Sequence, residues 1–383
     1  MGCKRSHVQV VSLRPTNKSV SDVSDSGLFF IAFKIYNLYN AERVVIAGLI
    51  IGIKLTKQRT TELILSTRIK GMKGAVIMEK QNAYIKGHGG WDLYLYQWNE
   101  VKDPVGAVQI LHGMAEHTGR YKAFAEFLNK QGYVVYGHDH RGQGYSCKSL
   151  EELGSVGEES FNNAVQDANL VTQIIKKNHA ELPVFIFAHS FGSFVGQEYI
   201  TRYGHDIAGI ILSGSAAQTG AEVSAGAFVA ALQKRLFGSE KKGKLLNSLS
   251  FGSFNKRIKN PETSFDWLSR DGQEVSKYRA DPRCGYVFSI GFYYYFFKGL
   301  KKLYQYDKLE RIPLNLSIFI LSGEEDPVGK YGQSVKKLDQ IYRKLGLKAV
   351  ELKLYSGGRH EMLNEINRDE VFMDIADWLN KNK

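Results

Sequence analysis

The feature that most constrains the fold is an alternation of short apolar runs with longer amphipathic segments, from about residue 83 to the C-terminus. The runs are rich in β-branched and aromatic residues, as buried strands are, and span 107–112, 133–136, 184–188, 207–212, 317–321 and 349–355. Between them, apolar residues three and four positions apart predict helices over 121–131, 161–179, 191–203, 333–345 and 368–381. This alternation predicts an α/β fold with a mostly parallel central sheet and helices on both faces. Such sheets bind ligands beyond the carboxyl ends of their strands, so we expect the chemistry directly after each strand.

A serine follows the run 184–188 and stands directly before a predicted helix. The local sequence AHSFG (188–192) fits the nucleophile-elbow pattern G-x-S-x-G, except that alanine replaces the first glycine. Small residues are needed around the serine because a sharp strand-to-helix turn leaves no room for larger ones. We therefore expect Ser190 to be a nucleophile exposed above the sheet; an ordinary serine helix cap is the alternative.

Backbone donors for a tetrahedral oxyanion are expected in the loop after the run 107–112, which reads GMAEH over 113–117. A glycine-containing loop at this position can direct an amide toward developing negative charge. A second amide is available directly after the serine, at the start of the helix. We assign the predicted oxyanion hole to the N–H groups of Met114 and Phe191.

A carboxylate and a histidine follow the last two strands. Residues 322–328 read SGEEDPV, in which Glu324, Glu325 and Asp326 are all candidates for the acid that orients a histidine base. His360 stands in a glycine-rich loop after the last run, from which it could reach a serine; a surface histidine without function is the alternative. The order serine, acid, histidine along the chain is the one that α/β-hydrolases use.

Four motifs resemble those of the monoacylglycerol lipase and lysophospholipase group of α/β-hydrolases, which includes serine aminopeptidase-like hydrolases. HGMAEHTGRY (112–121) matches the signature HGxxEHxxRY, and DHRGQGYS (139–146) matches D-x-R-G-x-G-x-S. SGEEDPVG (322–329) matches SGxxDPVG, which implies that Asp326 is the acid. The segment 263–286 resembles the lid of bacterial lysophospholipase-like members. The resemblance covers about residues 83–383.

The resemblance implies a catalytic triad of Ser190, Asp326 and His360. It also implies a structural role for the other motif residues, because in the family the aspartate and arginine of the second motif hold neighbouring loops in place. The residues expected to have such a structural role are His112, Gly113, Glu116, His117, Arg120, Tyr121, Asp139 and Arg141.

The strand–helix alternation stops at about residues 216–310, which predicts an inserted lid. Roughly ninety residues without the pattern are far more than an ordinary connection, and the family carries a lid at this position. The segment has 16 Lys and Arg and 9 Asp and Glu, a net charge of +7, and it includes the aromatic run 292–297. We expect an apolar channel for an acyl chain beneath a basic rim. The alternative is that the aromatics only pack the lid onto the body.

The distribution of charge limits the classes of partner. Of the total of +12, residues 1–70 and 216–310 each carry +7, and the remainder carries −2. No DNA- or RNA-binding motif accompanies this charge, so we expect no nucleic-acid partner. Peripheral contact with an anionic membrane surface fits the clustering, and charge that only solubilises exposed faces is an equal alternative. Residues 360–364 read HEMLN and lack the second histidine of HExxH, so we expect no metal, and a triad requires no cofactor.

Residues 1–80 are expected to form an N-terminal extension of uncertain structure that precedes a hydrolase domain at 81–383. The apolar run 44–53 has ten residues, against about 20 for a spanning helix. The opening MGCKRS fits the N-myristoylation pattern, with Cys3 available for a second acyl chain; a start of translation at Met72 or Met78 is the competing hypothesis. The three cysteines are widely spaced, which is typical of a reducing compartment. We therefore expect a cytoplasmic protein with peripheral membrane contact.

The predicted function is hydrolysis of the acyl ester of a lysophospholipid or monoacylglycerol through an acyl-enzyme. A broad-specificity short-chain carboxylesterase or an aminopeptidase-like serine hydrolase is the first alternative, because these enzymes share the same motifs. A non-catalytic lipid-binding relative is the alternative from another class. Such proteins usually lack a triad residue, whereas all three are present here.

Overall fold

Eight strands form one sheet in the computed structural model, which describes residues 82–383. In chain order the strands are β1 (Ala83–Lys86), β2 (Asp92–Trp98), β3 (Gly106–Leu111), β4 (Tyr133–His138), β5 (Val184–His189), β6 (Gly209–Ser213), β7 (Ser317–Gly323) and β8 (Val350–Tyr355). Their order across the sheet is β1-β2-β4-β3-β5-β6-β7-β8. β2 pairs antiparallel with both β1 and β4, and every other neighbouring pair is parallel. The predicted mostly parallel α/β sheet is confirmed.

Helices cover both faces of the sheet. They are α1 (Lys122–Lys130), α2 (Ser160–Asn178), α3 (Phe191–Tyr203), α4 (Ala221–Phe237), α5 (Lys244–Phe251), α6 (Gly272–Ala280), α7 (Ile290–Leu303), α8 (Tyr306–Leu309), α9 (Gln333–Lys344) and α10 (Arg368–Asn382). Short 3₁₀ helices span His88–Gly90, Thr118–Tyr121, Gly144–Ser146, Gly204–Asp206, Phe254–Arg257, Asp266–Leu268 and Met362–Asn364. One apolar cluster packs α2, α3 and α9 on one face, and a second packs α1 and α10 on the other. Burial of both faces explains why the central strands are continuously apolar.

β5 lies in the middle of the sheet, with β3 on one side and β6 on the other. Ala188, near its carboxyl end, is paired with Leu111 of β3 and Leu212 of β6. The loops that follow these central strands therefore meet at one edge of the sheet, as they do in other open parallel sheets.

Residues 216–310, which we call the insertion, connect β6 to β7 and contain α4–α8. The aromatic ring of Phe292 on α7 lies 5.2 Å from that of Phe191, at the start of α3. Phe292, Tyr293 and Tyr295 are buried in the cluster that covers this face of the sheet. The insertion thus shares its apolar core with the body.

The predicted extension at residues 1–80, with its acylation pattern, lies outside the described residues. The domain boundary at residue 81 and the extent of the lid stay predictions. Among the helices of residues 82–383, none is both long enough and apolar enough to cross a membrane.

Candidate active site

Ser190 lies at the sharp turn between β5 and α3, with backbone φ 49° and ψ −117°. A positive φ is unfavourable for a residue that has a Cβ atom, and such strain is found preferentially at functional sites. The Ser190 amide donates a hydrogen bond to the Ser213 carbonyl, at the end of the neighbouring strand (3.0 Å). The turn places Ser190 among the residues that line a cavity at the carboxyl ends of the strands.

Small residues on both sides of the turn let α3 pack closely against the sheet. A Cβ atom on Gly192 would lie 2.2 Å from the Leu111 carbonyl oxygen, so this glycine of the motif is sterically required. Ala188 stands where the motif has its first glycine. A Cβ atom added to Gly196 would lie 3.1 Å from the Ala188 Cβ atom, so the two residues face each other. The glycine at position 196 therefore makes room for Ala188, which explains the departure from G-x-S-x-G.

His360 and Asp326 form a buried hydrogen-bonded pair on the loops after β8 and β7. The His360 Nδ1 atom lies 2.9 Å from the Asp326 Oδ2 atom, and both residues are buried. Glu324 and Glu325, the other two candidates for the acid, are exposed. The structure therefore brings Asp326, and neither glutamate, to the histidine.

The environment of this pair favours a charged carboxylate next to a basic imidazole. Burial raises the pKa of Asp326, but His360 and hydrogen bonds from the Ser322 hydroxyl and the Val328 amide outweigh burial, so the net pKa is lowered. Burial lowers the pKa of His360, but the Asp326 carboxylate outweighs burial and the net pKa is raised. The ring of His189 lies 4.7 Å from that of His360, and burial lowers the pKa of His189 to about 3, so this imidazole is neutral at pH 7.

The Gly113–Met114 peptide lies beside Ser190, because a Cβ atom on Gly113 would be 3.3 Å from the Ser190 Cβ. The His112 Nδ1 atom donates to the Gly113 carbonyl (2.8 Å). Since the C=O and N–H groups of a trans peptide point in opposite directions, this bond turns the Met114 amide away from His112. Phe191 is the first residue of α3, so its N–H has no acceptor within the helix. Both amides are available as donors; their role in an oxyanion hole stays a prediction.

One arginine connects the loop after β3 to the loop after β8. Arg120 donates two hydrogen bonds of 2.7 Å to Glu361 and one of 2.6 Å to Glu116. Glu116 also accepts from the Gly113 amide (2.6 Å) and the Tyr121 hydroxyl (2.8 Å). Burial opposes the ionisation of Glu361, but Arg120 outweighs it and lowers the pKa of Glu361 to about 2. Nothing in the sequence except its adjacency to a candidate base indicates Glu361.

The second motif joins three parts of the body. Asp139 accepts hydrogen bonds from the Thr118 and Tyr145 amides, each of 2.7 Å. Arg141 donates two hydrogen bonds, of 2.9 and 2.7 Å, to the Oδ2 atom of Asp167 on α2. Asp139 thus connects two loops, and Arg141 connects the motif to α2.

His117 contacts the insertion. Its Nε2 atom lies 2.9 Å from the Asp281 Oδ2 atom, and Cys284 completes the one group of three metal-ligating side chains in residues 82–383, with ligand atoms within 4.8 Å of one another. A metal-bound histidine usually donates its other ring N–H, whereas the buried His117 Nδ1 atom has no hydrogen-bond partner in this part of the chain. The group therefore fits a hydrogen bond between body and insertion better than a metal centre.

A cavity of about 360 Å³ is lined by Ser190 and His360 from the body and by many residues of the insertion. The insertion residues that line it include Asn247, Ser248, Phe251, Trp267, Tyr278 and Phe288. Aromatic rings dominate this surface, as in pockets for apolar ligands. The run 292–297 is absent from the lining and packs in the core, so for this run the packing alternative is the correct one.

The sheet topology, the strained serine turn and the buried Asp–His pair on the loops that follow define an α/β-hydrolase. The profile of the serine aminopeptidase family S33 matches residues 102–367, and the chain belongs to this family. Its motifs and its relatives place it in the monoacylglycerol lipase-like group of α/β-hydrolases.

Two curated relatives carry the name of this group, and a solved structure has the same fold. The chain is 28% identical to the monoacylglycerol lipase of Mycolicibacterium smegmatis over 76% of this chain and 94% of that one. It is 27% identical to human monoglyceride lipase over 76% and 88% of the two chains. A thermostable carboxyl esterase from Bacillus coagulans, solved in complex with glycerol, superposes with a TM-score of 0.74 at 27% identity, over 79% of this chain and 98% of that one.

Proposed function

We propose that the chain hydrolyses the acyl ester of a single-chain lipid, a monoacylglycerol or a lysophospholipid, through an acyl-enzyme on Ser190. The observation that carries the proposal is that Ser190, at a strained turn, shares one cavity with His360, whose Nδ1 atom is 2.9 Å from Asp326. The two curated relatives described above are monoacylglycerol lipases by name, which supports this substrate class.

In the first half-reaction, the His360 Nε2 atom takes the hydroxyl proton of Ser190 as its Oγ atom attacks the acyl carbonyl. Asp326 stabilises the imidazolium, while the Met114 and Phe191 amides donate hydrogen bonds to the oxyanion. The ester bond then breaks, and the imidazolium gives its proton to the leaving alcohol. Water next attacks the acyl-enzyme and gives a proton to His360, which returns it to Ser190 as the fatty acid leaves.

The cavity surface supports an acyl chain as the bound group. Met114, Phe251, Trp267, Leu268 and Phe288 present apolar surface around the cavity. Burial of an alkyl chain against such surface contributes about 0.8 kcal/mol per methylene group. A long chain therefore gains binding energy that a short ester does not, which favours a lipid over a short-chain ester.

The paired acids of the cavity disfavour aminopeptidase activity. A buried α-ammonium group needs a charge partner, and a carboxylate that is already bonded to an arginine is a poor one. Among residues 82–383, Glu116 and Glu361 are the acidic residues that line the cavity, and Arg120 pairs with both. Burial raises the pKa of Glu116, and Glu361 is bonded at two points to Arg120, so neither carboxyl group is a free partner for an ammonium group.

The test is release of fatty acid from 1-monoacylglycerol, lysophosphatidylcholine and a short p-nitrophenyl ester, together with labelling by a fluorophosphonate probe. Wild type, Ser190→Ala and the control Ser276→Ala, an exposed serine on α6, are compared. We expect cleavage of the long-chain lipids and labelling by wild type and the control, and neither by Ser190→Ala. Cleavage of only the short ester would remove the lipid assignment. Full activity of Ser190→Ala, or no activity of the wild type on any of the three esters, would contradict the mechanism.

We also propose that the insertion contacts anionic membrane surfaces through one side of α4. Phe228, Leu232 and Leu236 are spaced four residues apart and are 63%, 42% and 62% exposed. This spacing places the three side chains on one side of the helix, where they can enter the headgroup region of a bilayer. The net charge of +7 of the insertion attracts acidic headgroups.

Sedimentation with vesicles tests this contact. Phosphatidylcholine vesicles with and without phosphatidylserine are mixed with wild type, the Phe228→Ser/Leu236→Ser double variant and the control Tyr306→Ser, whose side chain is exposed on α8. We expect wild type and the control to bind, more strongly with phosphatidylserine, and the double variant to bind weakly. Equal binding by all three proteins would exclude α4 as the contact.

A further inference from the structure

The segment 263–286 carries no step of the mechanism, yet its first part is bonded to the loop that carries His360. The His360 amide donates to the Trp267 carbonyl (3.4 Å), and the Glu361 amide donates to the Leu268 carbonyl (2.7 Å). Backbone from the insertion therefore pairs directly with the backbone of the proposed base.

Side chains reinforce this pairing from both partners. Arg359 donates to the carbonyls of Asp266 (2.7 Å) and Ser269 (2.9 Å). In the other direction, Arg270 donates from Nε to the buried carboxylate of Glu365 (2.8 Å). We call residues 266–270 the brace, because these bonds fix the segment to the loop on both sides of His360.

The brace holds the indole ring of Trp267 against the imidazole ring of His360. The two ring centroids are 5.0 Å apart, and Trp267 is only 8% exposed. The ring is packed in turn by Phe254 (4.8 Å) and Phe251 (6.1 Å), and the Trp267 amide donates to the Asn255 side chain (2.9 Å). With this support the indole has little freedom to move away from the histidine.

We propose that Trp267 is a positioning residue for the proposed base: its indole, fixed by the brace, sets the orientation of the His360 imidazole and excludes water from one side of it. This inference rests on the proposed function, since it assigns a role to a residue that acts through His360. Small errors in the geometry of reacting groups reduce rates strongly, so such a residue has a large effect without touching the reacting atoms.

The charges that face His360 do not change when the indole is removed. They come from Asp326 and from Glu361 and Glu116, which Arg120 pairs, whereas the facing His189 is neutral. Burial lowers the pKa of His360, so admission of water at the site of the missing indole raises it further. The acid limb of the kcat/KM profile then moves to higher pH.

The experiment measures kcat/KM from pH 5 to 9 on a soluble p-nitrophenyl ester for wild type, Trp267→Ala, Trp267→Phe and the control Trp98→Ala. Trp98 is a half-buried tryptophan on β2 that does not line the cavity. For Trp267→Ala we expect kcat/KM to fall about 10- to 100-fold and the acid midpoint to rise by about half a pH unit. Trp267→Phe should recover most of the lost rate and most of the shift in the midpoint, and Trp98→Ala should match the wild type in both.

A wild-type pH profile and rate in Trp267→Ala would overturn the inference and leave the proposed function intact, as would equal shifts in Trp267→Ala and Trp98→Ala. Should Trp267→Ala fail to fold, Trp267→Leu, which retains an apolar side chain, takes its place in the same comparison. Retention of activity by Ser190→Ala would instead overturn the proposed function and this inference with it.

Discussion

Arg120 and Glu361 form a two-point ion pair in which both N–O distances are 2.7 Å. The two residues are 241 positions apart in the sequence, and the pair lies almost entirely out of solvent. Glu361 directly follows His360. Arg120 also donates to Glu116, which accepts a hydrogen bond from the amide of Gly113, the residue before Met114. The ion pair therefore fixes the distance between the loop of the proposed base and the loop of a proposed oxyanion donor.

Removal of Arg120 should be strongly destabilising. Arg120→Ala leaves two buried carboxylates without a cation, which costs about 3 kcal/mol of the free energy of unfolding. The control is Arg343→Ala, which breaks a half-exposed pair with Asp339 and should cost less than about 1 kcal/mol. Urea unfolding measures both. Equal losses in the two variants would show that the buried pair has no special contribution.

Inside a helix an alanine variant is usually more stable than a glycine variant. The strained backbone of Ser190 should reverse this order of stability. At φ 49° a glycine relieves strain that alanine retains, so Ser190→Gly should be at least as stable as Ser190→Ala. At Ser193, inside α3, glycine should be less stable than alanine by about 1 kcal/mol. The four variants are compared by urea unfolding. If Ser190→Gly is less stable than Ser190→Ala by as much as glycine is less stable than alanine at Ser193, the turn is not strained.

Addition of one methyl group at Gly192 should disrupt the packing of α3 on β3. The new Cβ would lie 2.2 Å from the Leu111 carbonyl oxygen, so Gly192→Ala should cost about 1–3 kcal/mol and reduce activity by displacing Ser190. At Gly272 an added Cβ has no atom within 4 Å, so Gly272→Ala should be neutral or slightly stabilising. Thermal unfolding and ester hydrolysis distinguish the two. A stable, active Gly192→Ala would contradict the close approach.

Buried histidines should make the fold sensitive to acid. Burial lowers the pKa of His138 well below its ordinary value and that of His140 to about 3. The unfolded chain binds protons near pH 6.5 and the folded chain does not, so stability is lost as the pH falls from 6.5 toward 3, by up to about 1.4 kcal/mol per pH unit for each group. His138→Leu should reduce this slope, and the exposed His205→Gln should not. Urea unfolding at several pH values checks this, and an unchanged slope in His138→Leu would contradict it.

The sequence predicts the central sheet well and its edge poorly. The run 184–188 and the helix 191–203 coincide with β5 and α3 almost to the residue, because the strand is apolar as far as Ala188 and the serine turn separates the two elements sharply. β1 and β2 are absent from the predicted strands, since β1 is mostly exposed, β2 mixes buried and half-exposed residues, and neither has a continuous apolar run. The order of strands across the sheet likewise depends on tertiary pairing that no local pattern encodes.

The residues of the candidate site also differ in how well the sequence predicts them. Ser190, Asp326 and His360 stand in short motifs, each directly after a strand, so the sequence indicates them. Glu361 and Trp267 act through partners that are more than 90 residues away in the chain. Their contacts arise only when loops from different strands meet, and the sequence pattern carries no sign of them.

The bonding of the brace to the loop around His360 bears on how lids can be exchanged between related enzymes. A chimera that imports a foreign insertion but keeps the native residues 359–365 would separate Arg359 from the carbonyls of Asp266 and Ser269, and Arg270 from Glu365. The insertion and the histidine loop therefore depend on each other for these hydrogen bonds. Grafting of substrate preference from a homologue should succeed only when both stretches are transplanted together.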